Sequence, residues 1–290
     1  MNPLTHSHSF LSLFVSSFRL YRKHFLPLVL LTGVLLIPSM LLSIGGLIET
    51  ESVLFMLMMH ILEGAMALGV VVLAFQGGAF PTLGILNIFR SRVFFGAMHI
   101  AVLQYMLFLF GVFGFFSLPF PINVMMVSLW LFSLFAFSLA QPVYMVEQVR
   151  GLPALARSFQ LVRTKLSRVS GVVVTSTALQ FLLMWVLLQA FLPELDFELN
   201  PDSALEVQII GLIQNEEVKQ AIHWAKYLTA LFFFPFAALL FVLLYFDLAH
   251  QESGFQLEQL EQLSQRWFGP PSQASQTDPE PPEHPEGGEQ

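Results

Sequence analysis

The chain has 290 residues, of which 55% are hydrophobic, 31 are Phe and only 11% are charged. Soluble domains carry roughly a quarter charged residues, so this composition excludes an ordinary soluble domain and places the chain in a membrane. The absence of cysteine excludes disulfides, thiolate nucleophiles and cysteine metal sites, and the net charge of -7 says little because the charges are unevenly spread.

Residues 1–24 put Phe10, Phe14, Phe18 and Tyr21 on one helical stripe and Ser12, Ser16, Arg19 and Lys23 on another, which predicts an amphipathic helix at the membrane surface. The first span, roughly 25–47, follows directly and contains Pro38, whose missing N–H predicts a bend. Span two, roughly 53–75, is the one span with an ionisable pair near its middle, His60 and Glu63, one turn apart and expected to share a face. Ionisable residues at mid-bilayer are functional candidates by default; the alternative is an interhelical hydrogen-bonded pair, with Gly64 and Gly69 letting a neighbour approach. A zinc site would require His99 of span three to join them, and no metal is expected.

The string FPTLGILNIFRSRV, with Arg90 and Arg92, predicts another surface helix. Spans three and four, roughly 94–116 and 122–145, are joined by SLPFP, short enough only for antiparallel neighbours. A further basic helix sets Leu152, Leu155, Phe159, Val162 and Leu166 against Arg157, Gln160, Thr164 and Arg168. Here Arg157, Arg163 and Lys165 are expected to reach anionic headgroups while Leu155, Phe159 and Val162 sink into the interface. Span five, roughly 169–192, leads into an acidic external connection, 193–224, in which Ser203 and Glu206 make a capping box. Span six, roughly 227–248, precedes a short helix over 255–268 and a tail after Gly269 with too few apolar residues to become ordered.

Eleven basic residues fall before the first span, between spans two and three, between four and five, or after six: Arg19, Arg22, Lys23, Arg90, Arg92, Arg150, Arg157, Arg163, Lys165, Arg168 and Arg266. Only Lys219 and Lys226 fall on the other side, so the positive-inside rule predicts both termini in the cytoplasm. The expected fold is all-α and polytopic, with six transmembrane helices in three hairpin units, each preceded by an amphipathic interfacial helix. Residues 1–250 form the membrane domain and 251–290 a cytoplasmic tail, disordered from about 269.

The strings SFRLYRKHFLPLVLL, QPVYMVEQVRGLPALARSFQLVRTKLSRVSGV and LLYFDLAHQESGFQLEQL resemble the multi-pass membrane domain named after glycerophosphoryl diester phosphodiesterases and related bacterial six-span proteins. That resemblance, over roughly 17–260, implies a bacterial cytoplasmic membrane. The phosphodiesterase activity belongs to a separate barrel domain of about 250 residues, which this chain has no room for outside its spans. Where the family commonly continues with a basic stretch after the position of Asp247, this chain has Ala249, His250 and Gln251.

No Walker loop, nucleophile elbow, dinucleotide fingerprint or kinase signature is present, so no catalytic residue, cofactor or nucleic-acid partner is expected. The expected partners are membrane lipids, with other membrane proteins as a second class. The candidate headgroup contacts are Arg19, Arg22, Lys23, Arg90, Arg92, Arg157, Arg163, Lys165 and Arg168. Two functions follow: a noncatalytic membrane protein that organises lipids or partner proteins, or a small-solute or proton-coupled transporter using polar residues of spans two to four.

Overall fold

A computed structural model describes residues 9–44, 48–76, 80–88, 92–117, 119–192, 215–252, 261–262 and 264–265. Within them the regular elements are all helices: α1 (Phe10–Lys23), α2 (Phe25–Ile44), α3 (Ile48–Gln76), α4 (Thr82–Ile88), α5 (Arg92–Ser117), α6 (Ile122–Ala136), α7 (Ala140–Glu147), α8 (Leu152–Arg163), α9 (Leu166–Phe191) and α10 (Glu216–Gln251). Six stretches are long and apolar enough to cross a bilayer: Phe25–Leu42, Val53–Phe75, Val93–Gly111, Ile122–Glu147, Leu166–Phe191 and Val218–Gln251. Residues 193–214 of the acidic connection, with Ser203 and Glu206, most of the helix expected over 255–268 and the tail after Gly269 lie outside the described residues, as does Arg90; 216–224 of that connection belong to α10, and 261–262 and 264–265 are helical.

A helix that is apolar all round belongs inside a bundle, and α3 is such a helix. Every residue over 57–72 except His60 is buried. It packs against α2, α5, α7 and α10, and the second half of α10 is almost as enclosed, with Leu239, Leu240, Leu243, Leu244 and Tyr245 fully shielded. The outer ring is different: α5, α6 and α9 leave Phe95, Phe113, Met125, Leu129, Phe181 and Trp185 exposed. Apolar surface of that extent requires hydrocarbon around it.

Span four is not continuous. The pattern predicts one helix over 122–145, but α6 ends at Ala136 and α7 begins at Ala140. The backbone groups freed at the break are answered by side chains from elsewhere. Ser158 of α8, fully buried, donates to the Ala136 carbonyl at 2.9 Å and accepts from Leu139 N–H at 3.3 Å. Gln104 of α5 donates to the Phe137 carbonyl at 2.8 Å. Non-helical backbone at membrane depth is tolerated where protein covers it, which is the condition met here. Beyond the break, Gln141 and Tyr144 of α7 clamp α5 by donating to the carbonyls of Ala97 and Val93 at 3.0 and 2.9 Å. Gly96 between them has no side chain to collide with the Tyr144 ring.

The string VEQVRGLP turns the chain from α7 into α8. Gln148 ends α7 in the left-handed region with φ 58°, and Gly151 adopts φ 65°, which a side chain would strain. Pro153 then sits in the first turn of α8, where no N–H is needed.

The surface helices pack more tightly than their periodicity predicts. In α8 the buried stripe is Ala154, Leu155, Ser158, Leu161 and Val162, set against α7 and α6. Leu155 and Val162 therefore face protein and not the bilayer interface; Phe159 is exposed, edge-on to Phe132 with ring centres 5.9 Å apart. The reason is the break in span four, which draws Ser158 and its flanking apolar residues inward. In α1, capped by Ser9, Leu13 and Ser17 are buried against α10, and Phe14, Phe18 and Tyr21 gather around Phe236. The Tyr21 hydroxyl donates to the Phe232 carbonyl at 2.6 Å, beside Leu231, whose carbonyl loses its helical donor at Pro235.

Candidate functional site

No hydrogen bond joins His60 to Glu63, one turn apart on α3. Three residues of helix separate directions by about 60° around the axis, enough to send the two side chains to different neighbours in a tightly packed bundle. His60 lines a cavity of about 380 Å³ between α3, α5, α6 and α9. Glu63 is 7% exposed, does not line that cavity, and keeps Oε1 buried without a hydrogen-bond partner. His99 stands elsewhere, beside Gly151.

The cavity gathers polar groups from the middle of four spans: His60 from α3, Gln104 and Tyr105 from α5, Ser133 from α6, and Thr177 and Gln180 from α9. It borders the break in span four, since Ser133 and Phe137 form part of its wall. Discontinuous spans mark ligand sites in many membrane proteins because they present polar groups at mid-depth. Thr177 and Gln180 are exposed, so the cavity reaches the flank of the chain where α9 parts from α6. The sequence does not flag Gln104, Thr177 and Gln180, because single polar residues in an apolar run carry no periodic signal. Their convergence depends on packing between segments far apart in the chain.

The basic residues divide into two groups. Arg19, Arg22, Lys23, Arg163 and Lys165 are exposed, as headgroup contacts must be. Arg157 and Arg168 are instead held by acids. Arg157 Nε lies 3.0 Å from Glu147 Oε2, its Nη1 pairs with Glu252, and Tyr245 donates to Glu147 Oε1 at 3.1 Å. Burial works against the Arg157 charge, but Glu147 and Glu252 outweigh it and hold its pKa above the ordinary value. Arg168 Nη1 lies 2.8 Å from Oδ2 of Asp247, whose side chain is fully shielded; Gln251 donates to the same oxygen at 3.1 Å. The acids that claim these arginines are Glu147, Asp247 and Glu252, two of them more than 75 positions away in the chain. The side chain of Arg92, like that of Arg90, is outside the described residues.

This lattice fastens the ends of α7, α8, α9 and α10 together, while the cavity lies at mid-span. No protein-family model, curated protein or solved structure matches this chain.

Proposed function

We propose that the chain is a noncatalytic multi-pass protein of a bacterial cytoplasmic membrane, with both ends inside, and that it organises lipids, with partner membrane proteins as a second class of contact. The observation that carries this reading is α1. It leaves Phe10, Leu11, Val15 and Phe18 exposed and ends in the exposed cations Arg19, Arg22 and Lys23. An exposed apolar flank beside a basic end is what an interfacial helix needs to sink into acyl chains and hold anionic headgroups.

The test is purification of the full chain in native lipid, with the accompanying lipids identified. Replacing Arg19, Arg22 and Lys23 together with Gln should lower the anionic fraction, because each charge contributes about 1 kcal/mol near such a surface. The same anionic lipids accompanying both proteins would overturn the reading. A second reading, proton-coupled transport, is favoured by the unpartnered buried oxygen of Glu63. It requires a proton flux in proteoliposomes that disappears in Glu63→Gln; equal flux in both proteins, or none, removes it.

A further inference from the structure

Two cavities adjoin across Trp130. The first is the polar one of about 380 Å³, a size typical of small-molecule sites. The second, of about 280 Å³, lies between α5 and α6 and is walled by Phe110, Met126, Leu129 and Phe132. Leu107, Trp130, Ser133 and Phe137 border both, so the two lie side by side, one with several polar groups in its wall and the other almost wholly apolar. Neither is lined by Asp, Glu, Lys or Arg among the described residues. A charged head entering at mid-span would lose its hydration with no carboxylate, ammonium or guanidinium to replace it, so the occupant is uncharged.

An unanswered acceptor in the wall calls for an occupant that carries a hydrogen-bond donor. A carbonyl only accepts, so the bond from Gln104 to Phe137 uses one of the two amide N–H groups of Gln104 and fixes which end of the amide is nitrogen. Its Oε1 is buried without a partner. The Ser133 hydroxyl proton is likewise committed, to the Trp130 carbonyl at 2.7 Å. Gln104 Oε1 is thus a buried acceptor left unanswered, and such an acceptor is costly until a donor reaches it.

We infer that the paired cavities bind an uncharged amphiphile with a hydroxyl head, the hydroxyl donating to Gln104 Oε1 and the hydrocarbon chain lying against Phe110, Met126 and Leu129. The site names a ligand class for the lipid-organising reading above and rests on it only in drawing the ligand from the bilayer.

The probe is a monoacylglycerol with a dibrominated stearoyl chain, added to the full chain in phosphatidylcholine nanodiscs. Trp185, Trp224 and Trp267 are replaced by Phe so that bromine quenching reports Trp130 alone. Quenching should saturate, and unbrominated monoacylglycerol should relieve it. The same lipid with both hydroxyls capped as methyl ethers should fail to relieve it, a comparison that needs no further variant of the protein. Gln104→Leu should raise the half-saturating concentration about tenfold, the loss expected for one buried hydrogen bond. Quenching that never saturates overturns the inference, as does equal competition by the capped lipid or saturable quenching by dibrominated stearate in its charged form. Replacing Arg19, Arg22 and Lys23 leaves the Trp130 signal unchanged on this inference, so its failure is read separately from any loss of anionic lipid.

Discussion

At the scale of single residues, Ser158 has consequences out of proportion to its size. It closes both sides of the break in span four, so Ser158→Ala strands an N–H and a carbonyl in the interior at once. The expected cost is about 1–3 kcal/mol for each group left buried without a partner. Thermal unfolding in detergent measures it, with Ser128→Ala as the control, since the Ser128 hydroxyl bonds only within its own exposed helical turn. A melting temperature unchanged relative to that control would mean that water or a neighbouring side chain takes over the role of Ser158. Asp247 and Arg168 call for a different pattern. Removing either alone leaves a shielded charge without its partner, at a cost of about 3–5 kcal/mol, whereas replacing both with Leu and Met should recover much of the loss. Equal losses in the single and double variants would show that the bonds from Gln251 and other neighbours, and not the ion pair, hold that end of α10.

Among the elements, the junction of α1 with α2 is where a pH response is expected. His24 joins the two helices, is 6% exposed and lies against Phe80, with ring centres 6.3 Å apart. Burial, and then the charge of Lys23, lowers its pKa from the usual 6.5. The folded protein therefore keeps His24 neutral at pH values where the unfolded chain takes up a proton. Stability is fully present above pH 6.5 and declines as the pH falls below it. His24→Phe should flatten that decline, seen as a smaller difference in melting temperature between about pH 7.5 and about pH 5.5. An undiminished difference would assign the effect to another group.

How far these elements can be read from sequence depends on what each one needs. The spans are legible because apolar length is a local property, and α1 is legible because its stripe repeats every turn. The inward face of α8 is not, because Leu155 and Val162 look the same whether they meet lipid or protein, and only the break at 137–139 draws them inward. The break itself, Phe137, Ser138 and Leu139, holds no Pro or Gly; its local cue is Pro142, which denies a helical donor to the Ser138 carbonyl. The shared face expected of His60 and Glu63 is local geometry, but their separate surroundings depend on α5, α6 and α9.

For the whole molecule, the prediction concerns which way the bundle faces. Along α2 from Phe25 through Gly33 to Ser39, the contacts on α10 move back from Phe232 through Leu231 to Tyr227, so the first and last spans run antiparallel. Six spans alternating in direction bring both ends to the same side, and the sign of the flanking charge decides which side that is. Arg157 and Arg168 are neutralised in the folded protein, yet Arg19, Arg22, Lys23, Arg150, Arg163 and Lys165 all remain exposed. The expected bias toward the cytoplasm therefore does not depend on the lattice, and stability and orientation should respond to different arginines. Fusions of a reporter active only outside the membrane should be active after Pro121 and inactive after Arg150. Arg157→Gln with Arg168→Gln should lower the melting temperature and leave this pattern intact. Replacing Arg19, Arg22 and Lys23 with Gln should instead make the Arg150 fusion partly active, because charge at the first span usually dominates orientation. An active reporter after Arg150 in the unaltered chain would invert the bundle and place the exposed cations of α1 at the opposite leaflet.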